Sequence, residues 1–261
     1  MDPNQQFAAE VRRNVDRLGS DTAIREQSLE WMKAVHAAGN YTYNFSWLNR
    51  PVIQYPQDIV AIQELVWSVK PDLIIETGVA HGGSMALSAS LLALIDLEQA
   101  AIAGCPMDPA QTKRKVLGID VEIRSHNREA LEAHPFAGWM QLIEGSSTAA
   151  ETIAQVQSVA AKHERVMVFL DSDHTHDHVL AELQAYAPLV NQQSYCVVFD
   201  TLIDDLPDDL FPDRRWGQGN NPRTAVAAYL EQTNRFEVDS SWDAKLQVTV
   251  APGGFLKCVR D

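Results

Sequence analysis

Aspartate and histidine side chains are concentrated in the segment LDSDHTHDHV, residues 170–179, which directly follows a run of apolar residues. Asp171 closes that run, and His174 follows it by three residues. Carboxylate oxygens are hard ligands that select Mg²⁺, Ca²⁺ or Mn²⁺ rather than zinc. A histidine, with an ordinary pKa of about 6.5, can accept a proton near neutral pH. The segment therefore predicts a metal site at Asp171 with a general base, His174, beside it.

A second carboxylate, Asp200, ends another apolar run, SYCVVFD, at residues 194–200. If the two runs are neighbouring strands, Asp171 and Asp200 face one cleft and share the metal. Zinc stays open as an alternative through His174 and His178, although HTHDH is not the HExxH arrangement of zinc proteases. For the other polar residues of the segment, the favoured interpretation is a polar helix start with an acidic first turn. Those residues are Asp173, His176, Asp177 and His178.

Short apolar runs alternate with longer amphipathic stretches over most of the chain, which is typical of parallel strands joined by helices. The predicted strands are DLIIE (72–76), KVLGID (115–120), WMQLIE (139–144), RVMVFLD (165–171) and SYCVVFD (194–200), and the predicted helices lie at 84–98, 126–134, 148–163 and 176–190. Each strand ends in a carboxylate, at the sheet edge where open α/β folds bind ligands. Residues 236–259 predict a final antiparallel hairpin that turns through PGG.

The first predicted strand leads into a glycine-rich turn, in IIETGVAHGGSMALS at residues 74–88. The positions that let the backbone approach a ligand closely are Gly78, Gly82 and Gly83. Ser84 is predicted to cap the following helix. The turn is neither GxGxxG nor a P-loop, and Glu76 would repel a pyrophosphate. A cationic ligand such as S-adenosylmethionine, which carries a sulfonium and an ammonium group, suits it better; the alternative is a tight turn without a ligand.

Asp120 closes the second predicted strand, where a carboxylate can accept both ribose hydroxyls of an adenosyl group. It lies 44 positions after Glu76 (120 − 76 = 44), against about 20 in dinucleotide-binding folds. A predicted loop insertion at residues 101–113 accounts for the excess. The joint placement of Glu76 and Asp120 favours a bound adenosyl cofactor over an unliganded turn.

A long segment rich in Asp, Pro, Gly and Asn follows Asp200, at residues 201–226. It is too long for an ordinary connection and predicts a substrate lid, with a solvated acidic loop as the alternative. The side chains predicted to hold an anionic or sugar-like substrate are Arg214, Arg215, Trp216 and Arg223.

Composition excludes several classes of protein. A formal net charge of −14 without a Lys or Arg cluster argues against nucleic acid binding. Three widely spaced cysteines without CxxC spacing favour a reducing, cytoplasmic setting over a disulfide framework. The N-terminus resembles no signal peptide, and we expect no membrane span, because no uninterrupted apolar segment is long enough.

The first 55 residues differ from the rest of the chain. Two helical stretches precede the aromatic-rich segment YTYNFSWLNRPVIQYPQD at residues 41–58. We predict an N-terminal extension over residues 1–55 and a single α/β domain over residues 56–261. The aromatic extension is expected to pack on the core or on a neighbouring subunit, which predicts a homo-oligomer.

Several of these motifs, in this order, resemble the cephalosporin hydroxylase family. The resemblance runs from about Tyr41 to Cys258 and includes YNFSWLNRPVIQYPQD, ETGVAHGGS, LGIDVEIRSHNREALEAHP, IEGSS, LDSDHTHDHV, VVFDTLIDDLP and FPDRRWGQGNNPRTAV. Members of this family resemble class I methyltransferases, and relatives include metal-dependent sugar O-methyltransferases. The resemblance implies a Rossmann-like fold, with a mostly parallel seven-stranded sheet and an antiparallel C-terminal hairpin.

The resemblance also implies a cofactor, a metal and an acceptor. It implies S-adenosylmethionine contacts at Glu76, Gly78, His81, Gly82, Gly83, Ser84, Asp120, Ser146 and Ser147. It implies Mg²⁺ ligation by Asp171 and Asp200, with His174 as the base that deprotonates a sugar or polyol hydroxyl. The chain departs from the family pattern at Phe199, where the related enzymes carry an acidic residue; the metal then binds more weakly, recruits Asp204 or Asp205, or is absent.

Two other functions remain open from the sequence. One is hydroxylation, as the family name says, although no spacing of two histidines and one carboxylate identifies a nonhaem iron site. The other is a non-catalytic subunit that binds an adenosyl ligand, which the replacement at Phe199 makes possible.

Overall fold

A computed structural model of the chain describes residues 2–210 and 212–260. Three residues lie outside the described part: Met1, Phe211 and Asp261. Phe211 belongs to the predicted lid, Met1 begins the predicted N-terminal extension, and Asp261 ends the predicted α/β domain.

The core of the described chain is one mixed sheet. Its strands are β3 (Leu73–Thr77), β4 (Lys115–Asp120), β5 (Met140–Glu144), β6 (Val166–Leu170), β7 (Tyr195–Val198), β8 (Phe236–Val238) and β9 (Phe255–Cys258), after a separate β1 (Phe45–Trp47) and β2 (Arg50–Val52). The order across the sheet is β5-β4-β3-β6-β7-β9-β8. The first five strands are parallel, and β9 is antiparallel to both of its neighbours. The predicted fold, with its antiparallel C-terminal strands, is confirmed.

Helices cover both faces of this sheet. They are α1 (Pro3–Ser20), α2 (Thr22–Gly39), α3 (Pro56–Val69), α4 (Gly83–Ala103), α5 (Ser125–Glu132), α6 (Ala150–Ala160), α7 (His176–Tyr186), α8 (Pro222–Gln232) and α9 (Ser240–Leu246). Alternate strand residues enter two different cores: Ile74 packs in a cluster with residues of α3 and α4, whereas Leu73 and Ile75 pack with residues of α6, α7 and α8. Because both faces are buried, the central strands have continuous apolar sequences.

One helix is long and apolar enough to cross a membrane, by length and composition alone. This is α4, and the expectation of no membrane span stays a prediction. In the fold, 56% of the most apolar window of α4 is buried. Core helices of α/β proteins meet the same criterion, because they pack against a sheet that is itself buried.

The C-terminal region differs from the prediction in one segment. Residues 245–250 were expected to pair as a strand through PGG, but α9 ends at Leu246 and residues 247–250 form no strand; β9 pairs with β7 and β8 instead. Asp239 caps α9 by accepting from the backbone N–H of Ser241 at 3.3 Å. Asp58 accepts from the hydroxyl of Thr249 and from the backbone N–H of Val250 at 3.0 Å. These contacts hold the segment against the start of α3 and away from the sheet.

Asp58 should make the stability of the protein depend on pH. Burial raises its pKa from 3.8 to about 7, although the hydrogen bonds from Thr249 and Val250 act in the opposite direction. The folded state therefore binds a proton more tightly than the unfolded state, so stability is highest below pH 4 and falls as the pH rises through 7. At 1.36 kcal/mol for each pKa unit, the loss amounts to about 4 kcal/mol.

The substitution Asp58→Asn removes this titration. We expect the free energy of unfolding of the variant, relative to the wild type, to increase by roughly 3 to 4 kcal/mol between pH 4 and pH 8. Urea titrations of both proteins across this range measure the difference in the free energy of unfolding. Any pH-independent loss of stability caused by removing the carboxylate acceptor is the same at pH 4 and pH 8, so it does not affect the change between them. A difference that does not change with pH would show that Asp58 is already ionised at acidic pH in the folded protein.

The N-terminal extension packs against the domain. Strands β1 and β2 form an antiparallel hairpin, and Leu48 and Asn49, which form its turn, both have positive φ angles. Three rings, Trp31, Tyr41 and Tyr55, lie with centroids 5.3 to 6.3 Å apart. The hairpin and the aromatic cluster link α2 to the start of α3. The domain boundary at residue 55 stays a prediction.

Candidate active site

The two predicted metal ligands come together at the carboxyl edge of the sheet. Strands β6 and β7 are parallel neighbours with Leu170 opposite Val198, and Asp171 and Asp200 follow them by one and two residues. The ligand atoms of Asp171, His174 and Asp200 all lie within 4.8 Å of one another. The Nε2 atom of His174 is 3.1 Å from Oδ2 of Asp200. Asp200 has a φ of 56°, an uncommon conformation for a residue other than glycine that often marks functional sites.

The electrostatics of this cluster fit a divalent cation. Burial of the carboxyl group and, after it, the charge of Asp200 raise the pKa of Asp171 well above its usual range. The charge that opposes ionisation of Asp171 is one that a bound cation can neutralise. The donor set of two carboxylates and one imidazole suits Mg²⁺ or Mn²⁺. His178 lies outside the group of ligand atoms, so the zinc alternative built on His174 and His178 is not supported.

Phe199 and the two acidic residues considered as substitutes take other roles. Phe199 is buried and packs edge to face on Phe169, with ring centroids 6.1 Å apart. Two guanidinium nitrogens of Arg223 donate hydrogen bonds to the carboxylate of Asp205, at 2.8 and 2.6 Å. Asp204 accepts from Nδ2 of Asn221 at 2.6 Å. Neither aspartate belongs to the cluster, whose third potential ligand is His174.

The glycine-rich turn lies beside this cluster, and the backbones of Asp171 and Pro51 approach two of its glycines closely. A Cβ atom on Gly78 would lie 1.9 Å from the carbonyl oxygen of Asp171, and one on Gly83 would lie 2.1 Å from the carbonyl oxygen of Pro51. Helix α4 begins at Gly83 with Gly82 at its N-cap. The prediction that Ser84 caps this helix is therefore wrong: Ser84 lies within the first turn, and its side chain hydrogen bonds to Glu76.

The two carboxylates predicted to contact the cofactor have different surroundings. Glu76 is buried, accepts a hydrogen bond from Ser88, and has a pKa raised by burial to about 7. It borders a small cavity beside the main one rather than the main cavity itself. Asp120 does border the main cavity, and its Oδ2 atom accepts from the backbone N–H groups of Val79 at 2.8 Å and Ala80 at 3.1 Å. Asp120 therefore also shapes the glycine-rich turn.

A cavity of about 750 Å³ connects the turn and the cluster. The predicted site residues that line it are Gly78, His81, Gly83, Ser84, Asp120, Ser146, Ser147, Asp171, His174, Asp200, Arg214, Arg215 and Trp216. The predicted residues that do not line it are Glu76, Gly82 and Arg223. Residues of the N-terminal extension, from α2 to Tyr55, also line the cavity. This volume is typical of small-molecule sites.

Part of the predicted lid closes over the cluster. The ring of Trp216 stands edge to face on His174 with centroids 5.5 Å apart, and the guanidinium of Arg214 lies 5.6 Å from the centre of Trp216. Arg215 bonds to Asp173 at 2.5 Å. Arg223 was predicted to hold substrate; in the structure it forms a bidentate pair with Asp205 and does not line the cavity.

Comparison with known proteins places these features in a family. The model of the family described as rhamnosyl O-methyltransferase/CmcI matches residues 39–259. The chain belongs to this family. The match includes β1, β2 and every strand of the main sheet, and it confirms the family resemblance that the sequence motifs indicate.

Members of the rhamnosyl O-methyltransferase/CmcI family from mycobacteria are similar to the chain over most of its length. The protein named rhamnosyl O-methyltransferase from Mycobacterium tuberculosis is 30% identical over 201 residues, which cover 76% of this chain and 72% of that protein. Its namesake from Mycobacterium leprae is 28% identical over 221 residues, covering 84% and 85%. A solved apo structure of CmcI is 17% identical with a TM-score of 0.52, covering 84% and 78%, and shows the same fold.

Two residues that the sequence interpretation missed hold the glycine-rich turn of this family member. Arg50 of β2 donates through Nε to the carbonyl of His81 at 2.8 Å and through an Nη atom to Oδ1 of Asn127 at 2.7 Å. Asn127 is buried and donates to the carbonyl of Ala80 at 2.9 Å. In the sequence, the signal for this role was the presence of one arginine, Arg50, in the aromatic-rich segment 41–58.

Loss of Arg50 should loosen the turn. We expect Arg50→Ala to weaken binding of S-adenosylhomocysteine about tenfold, because hydrogen bonds from a charged donor contribute roughly 1.5 to 3 kcal/mol. Isothermal titration calorimetry measures this change. Arg50→Lys should recover little, since an ammonium cannot reach both acceptors as a fork does. The exposed Arg12 of α1 offers the matched control, and equal affinity of Arg12→Ala and Arg50→Ala would contradict the prediction.

Proposed function

We propose that the chain is an S-adenosylmethionine-dependent O-methyltransferase that methylates a sugar hydroxyl with the help of a divalent cation, preferably Mg²⁺. The observation that carries the proposal is the cluster of Asp171, His174 and Asp200, which opens on the same cavity as the glycine-rich turn. The names of the mycobacterial relatives support a rhamnosyl or similar sugar acceptor.

The cavity wall suggests which end serves each ligand. The turn at Gly78–Gly83, Asp120, Ser146 and Ser147 would hold the cofactor, and Trp216 with Arg214 and Arg215 would hold the sugar. Asp171 and Asp200 would hold the cation. When bound, the cofactor supplies an electrophilic methyl group and the cation stabilises the alkoxide form of a nearby hydroxyl.

His174 is the proposed base. If its Nε2–H donates to Asp200, at the observed 3.1 Å, its Nδ1 lone pair is free to accept the proton of the acceptor hydroxyl. Asp200 would then fix the orientation of the ring. Trp216 covers the ring and restricts water. Much of the rate enhancement would come from holding the acceptor oxygen in line with the methyl group.

The composition of the cluster separates the proposal from hydroxylation. Nonhaem iron oxygenases use two histidines and one carboxylate, whereas this cluster has one histidine and two carboxylates. Oxygen uptake in the presence of Fe²⁺ and the acceptor would favour hydroxylation.

Thermal unfolding with S-adenosylhomocysteine, with and without Mg²⁺, tests the proposal first, because a ligand specific for the native state raises the midpoint. We expect a rise with the nucleoside and a further rise with Mg²⁺. Methyl transfer to a rhamnoside should then follow and stop when EDTA is added. A nucleoside shift without turnover on any sugar acceptor would favour a non-catalytic binding subunit, and no shift would contradict cofactor binding.

We also propose that the chain forms a homo-oligomer in the cytoplasm. The N-terminal extension exposes Tyr43 and Leu48 beside the cavity wall, which supports contact with a second copy. Cys105 and Cys196 are free thiols, which suits a reducing compartment. Light scattering after size-exclusion chromatography tests the assembly, and a monomer at micromolar concentration would contradict it.

A further inference from the structure

One face of α7 carries three polar side chains at helical spacing: His178, Glu182 and Tyr186. Residues four apart lie on one side of a helix, so all three face the loops that follow β5 and β6. The Nε2 atom of His178 is 3.0 Å from Oγ of Ser147 and 3.2 Å from Oγ of Ser172. Tyr186 donates its hydroxyl to the carbonyl oxygen of Ser147. Helix α7 therefore connects the Ser147 loop to the Ser172 loop.

Glu182 determines the direction of the hydrogen bonds in this connection. Its side chain is completely buried, and Oε1 accepts from Ser172 at 2.6 Å and lies 3.3 Å from Nε2 of His178. No residue in the described part of the chain donates a hydrogen bond to Oε2. A buried carboxylate needs a positive partner, and His178 is the basic side chain in contact with it. The hydrogen bond to Glu182 accordingly raises the pKa of His178 above its usual value.

The direction of the hydrogen bonds follows from this arrangement. Nε2 of His178 faces the carboxylate of Glu182, an acceptor, so we assign the ring proton to Nε2; shared between Glu182 and Ser147, this proton leaves Oγ of Ser147 as an acceptor. The hydroxyl proton of Ser147 is then free to be donated elsewhere. Ser147, Ser172 and His178 all line the main cavity, so a ligand bound there could accept this proton.

Ser147 lies near the proposed nucleoside end of the cavity. Strand β5, which it follows, pairs with β4, and Glu144 is opposite Asp120 in that pairing. The backbone N–H of Gly145 also donates to the carbonyl oxygen of Asp120 at 2.8 Å. An adenosyl group whose ribose contacts Asp120 would place its hydrogen-bond acceptors within reach of this loop.

We propose that His178, anchored by Glu182, is a positioning residue that sets Ser147 as a hydrogen-bond donor to the adenosyl end of the cofactor. The proposal rests on the proposed function, since it assumes that S-adenosylmethionine occupies the cavity. It differs from the metal and base chemistry, because His178 belongs to a separate network from that of Asp171, His174 and Asp200.

Calorimetric titration with S-adenosylhomocysteine tests this proposal. We expect His178→Leu and Ser147→Ala each to weaken binding about tenfold, the effect of one lost hydrogen bond. The double variant should bind no more weakly than either single variant, because both changes remove the same contact. His178→Gln, whose amide can donate to Ser147, should restore most of the affinity. The KM for S-adenosylmethionine should rise in step with these losses while kcat at saturation and the affinity for Mg²⁺ stay unchanged.

His176→Leu is the matched control. His176 lies on the same helix, but its ring bonds to Thr224 at 2.8 Å and it does not line the cavity. Equal affinity of the His176→Leu and His178→Leu proteins, or additive losses in the double variant, would overturn the positioning role. Absence of binding by the folded wild type would instead overturn the proposed function itself. Unfolding midpoints of all variants show whether each one folds.

Discussion

His174→Ala is expected to lower kcat by roughly 100- to 10,000-fold, the usual contribution of a general base. Nε2 of His174 lies 3.1 Å from Oδ2 of Asp200, and the ring packs against Trp216. Among the described residues, no other basic side chain takes this place when His174 is removed. Binding of S-adenosylhomocysteine should change by less than about twofold, because the contacts proposed for the cofactor lie on the turn and on the loops after β4 and β5. Rapid-quench methyl transfer and calorimetry measure the two quantities separately.

The same substitution distinguishes a base from a metal ligand. If His174 acts mainly as a ligand, millimolar Mg²⁺ should restore turnover in the variant. If it acts as the base, turnover should stay low at any Mg²⁺ concentration. His176→Ala, two residues away, should retain wild-type kcat. Unchanged turnover in His174→Ala would remove this residue from the chemistry.

The carboxyl edge of the sheet was predictable for a simple physical reason. Strands buried on both faces have uninterrupted apolar sequences, so the first carboxylate after each run marks its end. Because β6 and β7 are parallel neighbours, Asp171 and Asp200 had to meet. The loop after β6 is short, which placed His174 in the same cluster.

Other features depend on contacts that no local pattern reveals. Arg50 reaches His81 and Asn127 across 31 and 77 positions of sequence. Residues 245–250 alternate like a strand, but their tertiary contacts with Asp58, about 190 positions earlier, decide their conformation. Propensity is a weak guide where such contacts compete with it.

Residue type alone also did not show the partners of three side chains. Glu76 and Arg223 carry charges that suit a ligand, yet burial against Ser88 and pairing with Asp205 occupy them. His178 was interpreted as part of a polar helix start, yet its ring faces the cavity and the buried Glu182. The sequence identifies which groups can do chemistry, but their partners decide which groups are available for it.

Asp200→Asn should affect activity and stability in opposite directions. Loss of a charged ligand is expected to abolish the Mg²⁺-induced rise of the unfolding midpoint and to lower turnover about 100-fold, equivalent to roughly 3 kcal/mol. Without metal, however, the variant should unfold at a higher temperature than the wild type, because the charge of Asp200 raises the pKa of Asp171 and thus opposes its ionisation. The backbone should tolerate the change, since asparagine readily adopts the left-handed conformation observed at φ 56°.

Differential scanning fluorimetry with EDTA and with Mg²⁺ resolves the two effects. Asp177→Asn, an exposed position on the first turn of α7, removes the same charge outside the cluster and should keep both the metal response and turnover. A metal response that survives in Asp200→Asn would mean that the cation binds elsewhere. A lower midpoint in EDTA would mean that hydrogen bonding by Asp200, to His174 above all, outweighs the repulsion between the two carboxylates. The expected result, higher stability with lost activity, would show that the carboxylate pair is maintained for the metal at the expense of the fold.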